Sequence, residues 1–241
     1  MKNISNKFLF LLMPRYSGST MIKELLASSK FVSTFREGRC GEGQTLPGAS
    51  EILFKQNRWN PDLEVYWDRV KEIFYKNWDF DKPVLFEKSP PHLVRALQIE
   101  KVFSPSYFLI GIRNPYAHIE GLIRRDNSSP TAGAEYWLKC AKFQIYNLKH
   151  LKNTCYFRYE DLTDDTEKTI ERILAFIPDI RHLNKDITFM AHNITNKPIK
   201  GIVNLNHQKI SLLQQKVIDE ISRTLRKEKE VVDYFNYEII D

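Results

Sequence analysis

Residues 8–26 read FLFLLMPRYSGSTMIKELL, an unbroken apolar run that passes through a short polar turn into an amphipathic segment. An apolar run of strand length that does not alternate belongs to a strand covered on both faces, the usual state in a parallel sheet. The turn, Pro14-Arg15-Tyr16-Ser17-Gly18-Ser19-Thr20, leads straight into a helix expected over residues 19–29. At such a helix start the main-chain N–H groups and the helix dipole hold an anion. Gly18 lets the backbone approach it, and the hydroxyls of Ser17, Ser19 and Thr20 add donors. A helix cap needs only one of these hydroxyls. The run of small polar residues points instead to phosphate binding. The turn lacks the Gly-Lys-Ser/Thr ending of a nucleoside triphosphatase, so the identity of its anion is open.

Beyond this turn, strand-length apolar runs alternate with helix-length amphipathic segments. FVSTF (31–35), PVLFEK (83–88), YFLIGI (107–112) and TCYFRY (154–159) read as strands. Apolar spacings of three and four predict helices over 62–78, 91–103, 115–125, about 133–152 and about 207–229. Thr163 reads as the cap of a further helix, with Thr166 and Glu167 in its first turn. The alternation implies a three-layer, P-loop-like α/β fold with a central, mostly parallel sheet flanked by helices, in one domain over residues 1–241. Ligands of such sheets sit at the carboxyl ends of the strands, where the turns after Met13, Phe86, Ile112 and Tyr159 all lie. Residues 37–62 and 126–135 are polar and irregular, as substrate loops are.

The chain of 241 residues is 42% hydrophobic and 27% charged, which is ordinary for a globular domain. Its net charge of +6 is spread over dispersed Lys and Arg, which favours a local anion pocket over nucleic-acid binding. Cys40, Cys140 and Cys155 show no metal-ligand or disulfide spacing and read as idle thiols. The first apolar run is far shorter than the ~20 residues a membrane span requires, and no small-residue cleavage site follows it. A cytoplasmic protein without membrane insertion, a monomer or weak homodimer, is the expectation.

A magnesium-dependent phosphoryl transferase places an acidic residue at the end of a buried strand. Here YFLIGI ends in Arg113, whose guanidinium grips phosphate in two-pronged fashion. A nucleotide is therefore expected, with no requirement for a metal.

These residues together resemble a family. A PRxSGST-type loop after the first strand, EKSPPHL (87–93), FLIGIRNPYAHIEGLIRR (108–125) and RYEDL (158–162) occur in this order in the sulfotransferases that use 3′-phosphoadenosine 5′-phosphosulfate (PAPS). The resemblance covers roughly residues 8–177, with a tail in FNYEII (235–240). It is nearest to the bacterial-type and tyrosylprotein or carbohydrate branches. The resemblance implies sulfuryl transfer to a hydroxyl, or an amine, of a small-molecule, carbohydrate or peptide acceptor. It also implies that Arg15, Tyr16, Ser17, Gly18, Ser19 and Thr20 cradle the 5′-phosphosulfate and that Arg113 binds the 3′-phosphate. The family's second 3′-phosphate ligand, a serine eight residues on, falls here on Gly121, with Arg124 or Arg125 as substitutes or as solvated charges. The family's loop cation stands two or three residues before the glycine. Arg15 takes that role, and Tyr16 either displaces it or lines the substrate side.

RCGEGQTLP (39–47) resembles the stretch that carries the catalytic glutamate of the tyrosylprotein enzymes, and Glu42 falls beside that position. Glu42 is therefore the first candidate for the base, with Glu37 in reserve and His92 third because an imidazole titrates near working pH. Lys88 either stabilises charge in the cleft or is a surface lysine paired with Glu87. Glu160, Asp161, Trp137, Gln144 and Asn147 read as structural. Lys197, Lys200 and Gly201 form a basic loop that either closes over the nucleotide or is solvated. Two other functions fit less well: a P-loop kinase of small molecules, and a nucleotide-binding scaffold without catalysis.

Overall fold

The apolar run becomes the middle strand of the molecule, covered on both sides. In the computed structural model, which describes residues 5–35, 37, 39–190 and 197–241, the first half of the chain runs β1 (Lys7–Leu12), α1 (Ser19–Ala27), β2 (Val32–Ser33), α2 (Ser50–Leu53), α3 (Trp67–Asn77), β3 (Val84–Glu87), α4 (Ala96–Val102) and β4 (Ser106–Ile112). There follow α5 (Pro115–Asp126), α6 (Pro130–His150), β5 (Thr154–Arg158), α7 (Tyr159–Asp164) and α8 (Thr166–Phe176). The chain ends with β6 (Thr188–Phe189), β7 (Ile199–Lys200), α9 (Asn206–Ile210), α10 (Gln215–Arg226) and α11 (Lys229–Tyr234).

The central sheet has the order β2-β3-β1-β4-β5, and all its pairings are parallel. β1 lies between β3 and β4, with Phe8 opposite both Leu85 and Ser106. Alternate residues of β1 feed opposite layers. Phe8, Phe10 and Leu12 pack with Phe74, Trp78 and Phe103 on the α3/α4 side, and Leu9, Leu11 and Met13 with Met21, Leu25 and Ile173 on the α1/α8 side. Each such side chain contributes about 1.5–3 kcal/mol by leaving water, which is why the run shows no polar alternation. The chain crosses over β1 between β3 and β4, so the crevice at the carboxyl end of β1 is the natural ligand position. Among the described residues, no helix is long and apolar enough to cross a membrane.

Several element boundaries differ from expectation, each for a local reason. Pro90 and Pro91 cannot donate to a helical ladder, so the helix expected over 91–103 opens as a 3₁₀ turn over Pro90–Val94 before α4. The cap of α8 is Asp165, whose carboxylate accepts from the Lys168 N–H, and not Thr163, which lies inside α7. Residues 126–135 are mostly helical: Asn127 in a left-handed conformation ends α5, and Ser129 with Pro130 starts α6. The helix expected over 207–229 divides into α9, α10 and α11. Its periodicity survives the breaks because Ile210, Leu213, Ile218, Ile221 and Leu225 all pack on one cluster.

Candidate active site

One cavity of about 450 Å³ opens at the carboxyl end of β1 and is lined by the turns that follow β1, β3 and β4 and by the segment before α9. Its floor is the 14–20 turn. Gly18 precedes α1 with φ 102°, and no side chain caps the helix there. A Cβ at Gly18 would lie 2.6 Å from Tyr159 Cδ2, so both the backbone conformation and the Tyr159 ring require glycine. Ser19 and Thr20 line the cavity. Ser17 does not: it is buried, and its hydroxyl donates to the Pro14 carbonyl, so only its main chain is left for an anion. Arg15 lines the cavity, pairs with Asp126 at 3.1 Å and lies over the Tyr136 ring at 5.0 Å. Tyr16, in a left-handed conformation with φ 62°, donates its hydroxyl to Asp126.

Arg113 extends from the end of β4 into the same cavity and is 4% exposed. Its Nε donates to Asn206 Oδ1 at 2.8 Å and its guanidinium lies 4.0 Å from the centre of the Tyr159 ring, but Nη2 is buried without a partner among the described residues. Burial pushes this guanidinium below its ordinary pKa, with Tyr159 and Glu160 opposing. A buried cation with an unmet donor suits an anionic ligand, because leaving it unmet is costly. Glu160 accepts from the Asn114 N–H, the Asn206 amide and the Tyr237 hydroxyl, the structural role expected of it. Gln144 and Asn147 brace main-chain carbonyls of Leu12, Gly111 and Leu93, and Trp137 donates to that of Arg113.

Gly121, on α5, does not face an empty space. A Cβ there would lie 3.0 Å from Lys209 Nζ and 3.0 Å from Tyr16 Cβ. Lys209, from α9, is a cavity-lining cation that sequence reasoning passed over. It pairs with Glu120 at 2.7 Å and donates to the Ala117 carbonyl at 3.0 Å. Of the two expected substitutes, Arg124 pairs with Glu120, and Arg125 is an exposed residue of the cavity lining.

The opposite wall carries Glu42 and Lys88. Lys88 is 2% exposed and reaches Glu42 Oε1 at 3.1 Å; it is not the surface partner of Glu87. Glu42 Oε2 also accepts from Gln44 Nε2 at 2.6 Å. The turn that presents Glu42 is fastened from beneath. The Gly43 N–H donates to Glu87 Oε1 and the Gln44 N–H to Ser89 Oγ. Glu87 also pairs with His92 at 3.0 Å. Its burial would raise the carboxyl pKa, but the adjacent His92 imidazole, with Ser89 and the Gly43 N–H, holds it below the ordinary value. His92 is therefore buried between Glu87 and the Phe10, Trp67 and Phe74 rings, away from the cavity lining, which corrects its reading as a base. Glu37 is exposed and outside that lining.

Lys200 is likewise exposed and outside it, while its neighbour Ile199 on β7 faces in with Phe189 and Val203. The C-terminal segment thus brings an apolar wall and Lys209 to the cavity rather than the 197–201 basic loop. Tyr159 ties this segment to the floor: its hydroxyl donates to the Val203 carbonyl and accepts from the Leu205 N–H. The remaining lining includes Phe54, Arg58 and Trp59 beside Pro90 and Pro91. Cys40 is exposed, and Cys140 and Cys155 are buried free thiols, Cys140 pushed by burial up to about 12.

A model of the sulfotransferase family matches residues 10–178. Among solved structures, the fold is similar to the sulfotransferase domain of the Synechococcus PCC 7002 olefin synthase at 19% identity and TM-score 0.58, covering 90% of this chain and 94% of that one. It is also similar to a sulfotransferase from Alicyclobacillus acidocaldarius, at 10% identity and TM-score 0.58 over 95% and 96% of the two chains. A retinol dehydratase in complex with androsterone and the inactive cofactor PAP is similar at 12% identity and TM-score 0.50, over 96% and 82%. No curated protein matches the chain.

Proposed function

This chain belongs to the sulfotransferase family, and from that membership we propose that it transfers a sulfuryl group from PAPS to an acceptor hydroxyl at the cavity below β1. The observation that carries the reading is the pairing, across one cavity, of a buried Arg113 whose Nη2 lacks a partner with a Glu42–Lys88 couple on the facing wall. The donors present fit a nucleotide with two separate anionic groups. The main chain of the 14–20 turn, with Ser19 and Thr20, would hold the 5′ end, Arg113 the 3′-phosphate, and Phe189, Ile199 and Val203 an apolar face. When bound, PAPS supplies the sulfuryl group and a phosphate as leaving group.

The chain's own contribution is positioning and proton transfer. Glu42 Oε1 or Oε2 accepts the proton of the acceptor hydroxyl, a step worth typically 10²–10⁴-fold in rate. Lys88 and Gln44 fix the Glu42 carboxylate, and Glu87 fixes the turn that carries it. Lys88 and Arg15 set two cations on the cavity walls, where developing negative charge is stabilised. Phe54, Arg58 and Trp59 offer the acceptor a mixed aromatic and polar wall, suited to a sugar or phenolic ring.

Thermal denaturation with 3′,5′-adenosine bisphosphate (PAP) tests the cofactor, and turnover of labelled PAPS against a panel of hydroxyl acceptors tests the reaction. PAP raises Tm while ATP with magnesium does not. A rise with ATP-magnesium alone would overturn the reading in favour of a kinase. Glu42→Gln lowers kcat by roughly 10²–10⁴-fold with PAP binding retained; near-normal turnover would remove Glu42 from its role.

A further inference from the structure

We infer that Lys209 is the second side-chain ligand of the cofactor's 3′-phosphate, standing with Tyr16 in the space where the family's serine side chain would project from position 121. This deepens the PAPS reading and rests on it. The two departures of this sequence from the family pattern, Tyr16 between the loop cation and Ser17 and the missing serine at 121, meet at one point. Tyr16 turns its Cβ toward Gly121, and the Lys209 ammonium reaches the same spot from α9, each 3.0 Å from where a Cβ at 121 would lie. A serine there would press on both, so glycine is the residue that lets Tyr16 and the lysine coexist.

The ammonium has three N–H donors. One meets Glu120 Oε2 at 2.7 Å and one the Ala117 carbonyl at 3.0 Å, which leaves the third for the cavity that Lys209 lines. Charge balance points the same way. Lys209 and Arg124 both pair with Glu120, and among the described residues Arg113 makes no ion pair, its Nε being met by the neutral amide of Asn206. Two buried cations, Lys209 and Arg113, thus face one cavity, with Glu120 beside Lys209 and Glu160 near Arg113 as the carboxylates that offset them. Burial and the nearby Arg113 charge pull the Lys209 pKa down to about 8, against Glu120. An anion bound between Lys209 and Arg113 relieves that repulsion.

Calorimetric titration of the full chain with PAP, AMP and inorganic phosphate separates the 3′-phosphate from the rest of the nucleotide. The intact protein binds PAP more tightly than AMP, and phosphate alone weakly. Lys209→Met, which preserves length and leaves Glu120 paired with Arg124, weakens PAP binding by roughly ten- to a hundredfold, the range for a charge-assisted hydrogen bond. AMP binding stays unchanged, and Lys209→Arg recovers most of the loss. Equal weakening of PAP and AMP, or no weakening, overturns the inference while leaving the PAPS reading intact. An intact protein with no preference for PAP over AMP overturns both. Should the Met variant fail to fold, the ¹⁵Nζ resonance of Lys209 in the intact protein moves with PAP and not with AMP; an identical response to both ligands counts against the inference.

Discussion

Single residues here carry more than one constraint. Tyr159 packs on Gly18, stacks under Arg113 and binds the 203–205 main chain through its hydroxyl. In the sequence it is one letter of RYEDL, and nothing in the spacing separates its role from that of Glu160. Lys209 is equally silent: a lysine on an amphipathic segment reads as a solvated charge, and only the fold brings it to Ala117 across 92 positions. By contrast, Arg113 was legible because a turn after a buried strand has few other reasons to hold charge, whereas Glu42 and Lys88 stood out through the family resemblance of the segments around them. His118 gives the residue-scale prediction. It is fully buried on α5, and burial, with Lys209 and Arg113 beside it, pulls its pKa from 6.5 to about 3. The unfolded chain takes up a proton on this imidazole near pH 6.5 and the folded chain only near pH 3, so the protein loses stability as pH falls between those values. The loss approaches about 4 kcal/mol at the lower end. Glu87, held below its ordinary value, adds a loss of the same sign at pH values below 4.5. Urea titrations from pH 7 to 4.5 detect the first part, and His118→Gln flattens that part while leaving the steeper fall below it.

At the scale of elements, strands buried on both faces were read nearly to their ends, because a run without polar alternation has one explanation. Helix boundaries were read less evenly: α1 and α5 start where expected, but the 207–229 span is broken, since apolar periodicity persists through a break whenever both sides pack on the same cluster. The segment from 39 to 62 holds its shape through contacts that no local pattern encodes. Arg95, at the junction between the 3₁₀ turn and α4, donates to the carbonyls of Arg58 at 2.6 Å and Asn60 at 3.0 Å. Its burial pulls the guanidinium down to about 10, yet the charge is retained at neutral pH, and its donors hold the segment that presents Arg58 and Trp59 to the cavity. Trp59 is further pinned by the edge of Tyr136, 5.2 Å away. Arg95→Met releases this segment from its anchor. The acceptor KM then rises about tenfold, the equivalent of one charged hydrogen bond, while PAP affinity changes little, because Arg95 touches none of the 14–20 turn, Arg113 or α9. Steady-state kinetics with the acceptor varied, alongside PAP calorimetry, distinguish this from a general loss of fold, in which both would fall together.

For the molecule as a whole, the sheet order places the carboxyl end of β1 between those of β3 and β4, so three turns far apart in sequence converge on one cavity. The net charge of +6 has little to do with it: what concentrates positive charge at the cavity is the burial of Arg113, Lys88 and Lys209, while Glu42 and Asp126 are the carboxylates of its lining among the described residues. A ligand that bridges the 14–20 turn, Arg113 and α9 joins the amino-terminal half of the sheet to the C-terminal helices, which otherwise meet at this end through Tyr159, Asn206 and Lys209. PAP at a hundred times its Kd stabilises by about 2.7 kcal/mol, which for a domain of this size raises Tm by roughly 5–10 °C. The distribution of that gain is the sharper measurement. Hydrogen exchange with and without PAP slows together at the amides of residues 16–21, 113–117 and 203–209, since these segments share one ligand and one tyrosine. Protection confined to residues 16–21 would mean that the anion is held by the loop alone and that the C-terminal helices do not take part in the site.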